Sequence, residues 1–91
     1  MEIETQIHMV SAADKVFSYK KKDPTAIPED IFQHVADHIN EKRIKDERIK
    51  IAMIGAAGKA FDIVTKNPRA PEKVLFEKFM NEIPNLLARI E

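Results

Sequence analysis

Ninety-one residues make one small domain, and a chain of this size buries only about 60–65% of its unfolded surface, so association between copies is an expected source of extra stability. Fifteen basic side chains balance fifteen acidic ones, which leaves no overall field to recruit nucleic acid or an anionic membrane and restricts any electrostatic partner to a local patch. With no cysteine there is no disulfide framework, thiolate metal site or cysteine nucleophile, and with no apolar run near ~20 residues and no basic-then-apolar order in Met1-Glu-Ile-Glu, a cytoplasmic protein without a membrane segment is expected.

From Ile3 the apolar residues Ile3, Ile7, Val10, Ala13 and Phe17 recur at the spacing of one helical face, which predicts a first helix from about Glu2 to Lys21. Met9, Ala12, Val16 and Tyr19 widen that face so far that the helix must be covered from more than one side. Lys20, Lys21 and Lys22 complement the dipole at its C-terminus, and Asp23-Pro24 ends it, because the residue before proline is driven out of the helical region. Pro28-Glu29-Asp30 is a favourable first turn for a second helix, whose buried stripe is Ile31, Phe32, Val35, Ala36 and Ile39 and whose C-terminus is expected near Asn40.

The charged stretch 41–50 is read as a linker running into a third helix, with Asp46 as N-cap. Ile49, Ala52, Met53, Ala56, Ala60, Ile63 and Val64 form its buried stripe, with Ile54 and Phe61 opening a second one beside it. Asn67-Pro68 ends this helix. Pro71-Glu72 begins the fourth, with Val74, Leu75, Phe76, Phe79, Met80 and Ile83 expected inside. Pro84 is expected to kink or restart the chain before Leu86-Leu87-Ala88-Arg89-Ile90.

Two of these helices are copies of the other two. Shifting the chain by 44 positions without a gap aligns residues 7–39 with 51–83 at 11 identities in 33 positions, among them Met9/Met53, Ala12/Ala56, Ala13/Ala57, Lys15/Lys59, Phe17/Phe61 and Pro24/Pro68. About two identities would arise at average composition, so the chain is an internal duplication. The expected fold is therefore all-α: an antiparallel four-helix bundle of two helix–loop–helix hairpins related by a pseudo-twofold axis. Its single domain comprises repeat one at about 7–40, a charged seam at 41–48 and repeat two at about 49–91. Helices 1 and 3 should be central, with symmetric contacts of Met9/Met53, Val10/Ile54, Ala13/Ala57 and Phe17/Phe61. The counterparts of Gly55 and Gly58 are Ser11 and Asp14, so the third helix should continue through both glycines, and Gly55-Ala56-Ala57-Gly58 offers a smooth surface for close helix approach. The Pro-Glu pairs are 43 apart while the helix bodies keep 44, which predicts loops that differ by one residue.

The hairpin pattern of Asp23-Pro24…Pro28 and Asn67-Pro68…Pro71 after Ala-rich helices, over about Met9 to Ile90, resembles a small archaeal family of duplicated helical hairpins whose function is unknown. That resemblance implies a helical bundle in an archaeal cytoplasm and carries over no active site.

Three kinds of chemistry find candidate residues in this chain. His34 and His38, at i and i+4 with Asp37 and Glu41 nearby, have the spacing of metal ligands, but the repeat puts Lys78 and Glu82 in their places and two surface histidines suffice to explain them, so no metal or other cofactor is expected. Adjacent acids such as Asp46/Glu47 serve helix starts, no phosphate loop or Ser/His/Asp set stands out, and an enzyme is not expected. Lys20, Lys21 and Lys22 with Lys42, Arg43, Lys45, Arg48 and Lys50 could share one end of the bundle and touch phosphates, although Glu41, Asp46 and Glu47 interleave with them. The leading expectation is a non-catalytic module that self-associates as a homodimer, or binds another protein, through apolar surface that includes Ile27, Ile44, Leu86, Leu87 and Ile90. Nucleic-acid binding through the two basic segments is the alternative.

Overall fold

The computed structural model describes residues 3–90, so the expected start at Glu2 lies outside the described residues. It contains α1 (Ile3–Lys22), α2 (Pro28–Glu41), α3 (Glu47–Lys66) and α4 (Glu72–Ile90), and no strand among the described residues. The duplication extends to the element boundaries. Lys22 and Lys66 close the first helix of each repeat, and Pro28 and Glu72 open the second, each pair 44 apart. A twenty-residue helix is about 30 Å long at about 1.5 Å per residue, matching the 32 Å long dimension of the molecule.

Each hairpin turn is built the same way. The Asp23 N–H donates to Tyr19 O and the Ala26 N–H to Asp23 O, at 2.9 and 3.0 Å, and the Asn67 N–H and Ala70 N–H repeat these bonds to Ile63 O and Asn67 O at 3.0 and 3.1 Å. The expected one-residue difference between the loops does not occur. Ile27 O accepts the first bonds of α2 and Pro71 O accepts those of α4, so positions 44 apart hold the same role and only the proline has moved, from the first helical residue to the cap. Either place suits proline, because the first-turn N–H groups have no intrahelical partner.

Pro84 neither ends α4 nor restarts it. Proline removes one backbone bond, to the carbonyl four residues back. That carbonyl belongs to Met80, and Met80 and Pro84 both lie on the exposed side of α4, where water can take the freed acceptor. Met80, expected inside, is 49% exposed for the same reason.

The α1–α3 pair makes the most extensive helix contact, α2 and α4 flank it, and the two flanking helices do not meet among the described residues. Met9, Ala12, Ala13 and Val16 of α1 are fully buried, as are their counterparts Met53, Ala56, Ala57 and Ala60 of α3. Other expected contacts differ. Val10 is half-buried and Ile54 exposed, so that pair is peripheral. Phe17 meets Phe76 edge-on at 5.0 Å, and Phe61 meets Phe32 at 6.3 Å, so the aromatic contacts run from each repeat's first helix to the other repeat's second helix. Phe76 and Phe32 are themselves 44 apart, which makes the two clasps pseudo-symmetric and ties the hairpins together.

The end of α2 carries the only positive φ of a non-glycine residue among the described residues, at Arg43 with φ 55°. The Ile44 N–H donates to Ile39 O at 3.4 Å and the Arg43 N–H to Asn40 O at 3.1 Å. Those two bonds define a Schellman cap with Arg43 in the left-handed position, and Ile44 folds back on the core as that motif requires. The helix thus runs one residue past Asn40.

Two stability changes follow from this packing. Phe17→Ala should cost about 3–5 kcal/mol, the range for a buried Phe, while Phe61→Ala, whose ring is half-exposed, should cost clearly less in the same urea titration. Arg43→Gly should stabilise by roughly 0.5–1 kcal/mol, the relief of the left-handed strain less the unfolded-state entropy that glycine adds. An unchanged or lower urea midpoint for Arg43→Gly would contradict the cap assignment.

Candidate functional site

The direction of the first hairpin separates the basic residues. Ser11 lies beside His38 and the Tyr19 ring packs on His34 at 5.1 Å, so α1 and α2 are antiparallel. Lys20, Lys21 and Lys22 therefore sit at the loop end of the bundle, and Lys42, Arg43, Lys45 and Arg48 at the opposite end, about 20 Å away along the fourteen residues of α2. They form two small patches, not one. Lys20 Nζ donates to Ala26 O at 3.3 Å and braces the hairpin turn, and Lys50 pairs with Glu47 at 3.4 Å. Asp46 Oδ1 accepts the Arg48 N–H at 2.8 Å as the expected N-cap of α3. Lys42, Arg43, Lys45 and Arg48 are exposed and take part in no ion pair among the described residues.

The two histidines face different surroundings. His34 is half-buried against Tyr19, whereas His38 turns inward, is 6% exposed, and shares a 2.8 Å hydrogen bond between Nε2 and Ser11 Oγ. Asp37, the nearest acid between them, accepts from Gln33 Nε2 at 3.0 Å on the exposed side. No cluster of three His, Cys, Asp or Glu residues able to hold a metal forms among the described residues. Burial first, then the Lys15 and Lys42 ammonium groups, hold the His38 imidazole below its ordinary value, against an opposing pull from Glu41 and with a further push from His34. Each of these except Glu41 favours the neutral ring. The Ser11–His38 pair, 27 positions apart, escapes sequence reading. The only trace of it is that both residues differ from their repeat counterparts, Gly55 and Glu82.

At that equivalent place in the second repeat, Lys59 donates to Glu82 at 3.1 Å and the Asn85 Nδ2 donates to its other oxygen at 3.1 Å. The Lys59 bond, then the Asn85 bond, hold the Glu82 carboxyl below the ordinary range. A neutral hydrogen bond in one repeat thus replaces an ion pair in the other.

Folding leaves apolar side chains uncovered on several elements, among them Ile3 and Ile7 of α1, Ile27 before α2, Met80 of α4, and Ile51 and Ile54 on the outer face of α3. Ile51 is 57% exposed and Ile54 45% exposed, and the same face continues through Gly55, which is exposed, and Gly58, which is half-exposed. A Cβ built at either glycine would meet no atom within 4 Å. Close approach inside the bundle is therefore made by Ala56 and Ala57, and the glycines face the other way from what the small-residue run alone suggests. A groove of about 550 Å³ runs along this face, closed on the α4 side by Leu86 and Arg89 and edged by Lys59 and Asp62. Of the apolar residues expected to form excess surface, Leu86 is buried and Leu87 and Ile44 pack partly into the core, Ile27 is exposed, and the side chain of Ile90 lies outside the described residues. No described helix is long and apolar enough to cross a membrane. Comparison with protein-family models, with curated proteins and with solved structures finds no match to the chain.

The buried imidazole has a pH signature. Its folded value lies below the ordinary 6.5, so the unfolded chain binds the proton more readily and stability is lost as pH falls below that value. Glu82, also lowered, adds a separate loss as pH falls through its ordinary 4.5 and below. Urea midpoints should fall between about pH 7 and about pH 5 in the wild type, and His38→Gln, which keeps a polar partner for Ser11 but cannot titrate, should flatten that interval. An equal slope in the variant would refute the assignment.

Proposed function

We infer that this protein is a non-catalytic interaction module that self-associates through the outer face of α3. The observation that carries the reading is the pair of outward glycines that continue, along one face of α3, from the exposed Ile51 and Ile54. Each glycine inside a helix costs about 1 kcal/mol relative to alanine, and no contact within the bundle would be disturbed by a methyl group at either. An external surface that comes close to the α3 backbone supplies the missing reason. A second copy fits that role because the rim of the face is balanced, with Lys59 and Arg89 against Asp62 and Glu82, so two copies can meet without accumulating like charge. A homodimer in the cytoplasm is the form this reading implies.

A second reading rests on the exposed cations Lys42, Arg43, Lys45 and Arg48 at the seam end, which have the chemistry to contact phosphates of a nucleic acid. Salt separates the two readings. Apolar association holds or tightens as salt rises, and phosphate binding weakens steeply.

Sedimentation velocity at low and high salt tests both. A salt-resistant dimer is expected, converted to monomer by Ile51→Glu. The double variant Gly55→Ala/Gly58→Ala should weaken association while raising the stability of the monomer by up to about 1 kcal/mol per site. A wild type that stays monomeric at every concentration, or association untouched by Ile51→Glu, would overturn the reading, and salt-sensitive complexes with duplex nucleic acid would favour the second.

A further inference from the structure

We propose that the cavity at the loop end of the bundle binds a small amphipathic carboxylate, with its apolar body against the core and its anionic head at Lys20 and Lys21. The cavity holds about 350 Å³ between the C-termini of α1 and α3 and the start of α4. That is within the lower part of the ~300–1,000 Å³ range of ligand pockets. At about 30 Å³ of liquid volume per small group it accommodates roughly a dozen heavy atoms.

Its floor is the bundle core itself. Phe17, Val64 and Leu75 line it, and all three are buried, so an apolar body placed there displaces water from surface that the fold has already made rigid. Pro24, Pro68 and Pro71 stand around it. Their fixed φ angles hold both hairpin turns in place before any ligand arrives, which lowers the ordering cost of binding.

Its charge is uneven. Lys20 and Lys21 line one side, and neither is in an ion pair among the described residues; the Lys20 ammonium reaches only the Ala26 carbonyl, at 3.3 Å. Glu72 is the single acid of the lining, so the site keeps a net positive charge. The repeat explains the asymmetry. The counterparts of Lys20 and Lys21 are Val64 and Thr65, 44 positions on, so the α1 side of the cavity is cationic where the α3 side is apolar. A molecule with one apolar and one anionic end matches both sides at once. The two lysines suit a carboxylate as point charges, with no planar fork to demand bidentate geometry.

Naphthoate and its neutral carboxamide, titrated into the full chain and followed by amide chemical shifts, test the assignment. Expected are saturable one-to-one binding of naphthoate below about 1 mM, shifts centred on the cavity lining, and weaker binding of the carboxamide. Lys20→Gln/Lys21→Gln should weaken naphthoate by about tenfold or more and leave the carboxamide unchanged. Ala70→Leu, a substitution at a half-buried lining position, should weaken both. Binding that fails to saturate, shifts that map to another face, or a naphthoate affinity indifferent to the lysine substitutions would overturn the proposal. Unchanged far-ultraviolet circular dichroism in each variant ties its loss of binding to the site.

Discussion

Close contact between α1 and α3 sets the rest of the structure. Ala12 and Ala13 on one helix and Ala52, Ala56, Ala57 and Ala60 on the other are fully buried, so along much of their length two backbones face each other across methyl groups. Alanine buries little area, and the apolar stabilisation available is roughly 25 cal/mol per Å². The contact therefore defines geometry more than it supplies energy. The larger contributions come from what surrounds it: Met9 and Met53 within the pair, and Phe17, Ile31, Val35 and Phe79 where the outer helices close over it. Bringing α1 and α3 together in this way also pushes α2 and α4 to opposite flanks, where each covers one side and neither touches the other. The aromatic clasps Phe17–Phe76 and Phe61–Phe32 then lock each flank to the other repeat's first helix.

The core kept the symmetry of the duplication while the polar positions did not. Positions whose side chains must fit a shared interior are constrained in pairs, since a volume change at one is felt by its symmetry mate across the pseudo-axis. Positions at the edges of the core, which do not pack on their own symmetry mates, carry no such coupling. The Ser11–His38 hydrogen bond and the Lys59–Glu82 ion pair occupy equivalent places with different chemistry, one responding to pH near neutrality and the other only in acid. Lys20 and Lys21 against Val64 and Thr65 show the same divergence at the loop end. The fold itself explains where the copies agree, so the positions where they differ are the ones free to carry function.

Three positions depart from local preference: Gly55 and Gly58 in the middle of α3, which no internal contact requires, and Arg43, a non-glycine residue in a left-handed conformation that the α2 cap does require. Local rules are broken most often where a site demands it. The glycines lie in the uncovered groove of α3, and Arg43 stands among the free cations of the seam. Both places are surfaces, and the bundle requires neither the glycines of α3 nor an arginine side chain at the cap.

Much of the fold was legible in the chain because helices are local objects. Periodicity, capping residues and prolines located all four helices, though α4 runs through Pro84 where a kink or restart was expected, and the 44-residue repeat identified the central pair and most of the core. Even the shifted proline misled only about the loop, since Pro28 and Pro71 serve neighbouring cap positions. The candidate sites were far less legible. Sequence spacing puts Gly55, Ala56, Ala57 and Gly58 in one run, but a helix turns about 100° per residue, and only the seating of α1 against α3 decided that the alanines face in and the glycines out. Lys20–Lys22 and Lys42–Arg48, by contrast, flank α2, whose fourteen residues alone hold them at opposite ends of the bundle, so their separation was legible in the sequence. His38 and Ser11 meet because α2 folds back on α1, and the loop-end cavity exists because three helix termini converge there. Local chemistry determines which helices form and which face is apolar; the distances between side chains far apart in the chain are set by how those faces pack.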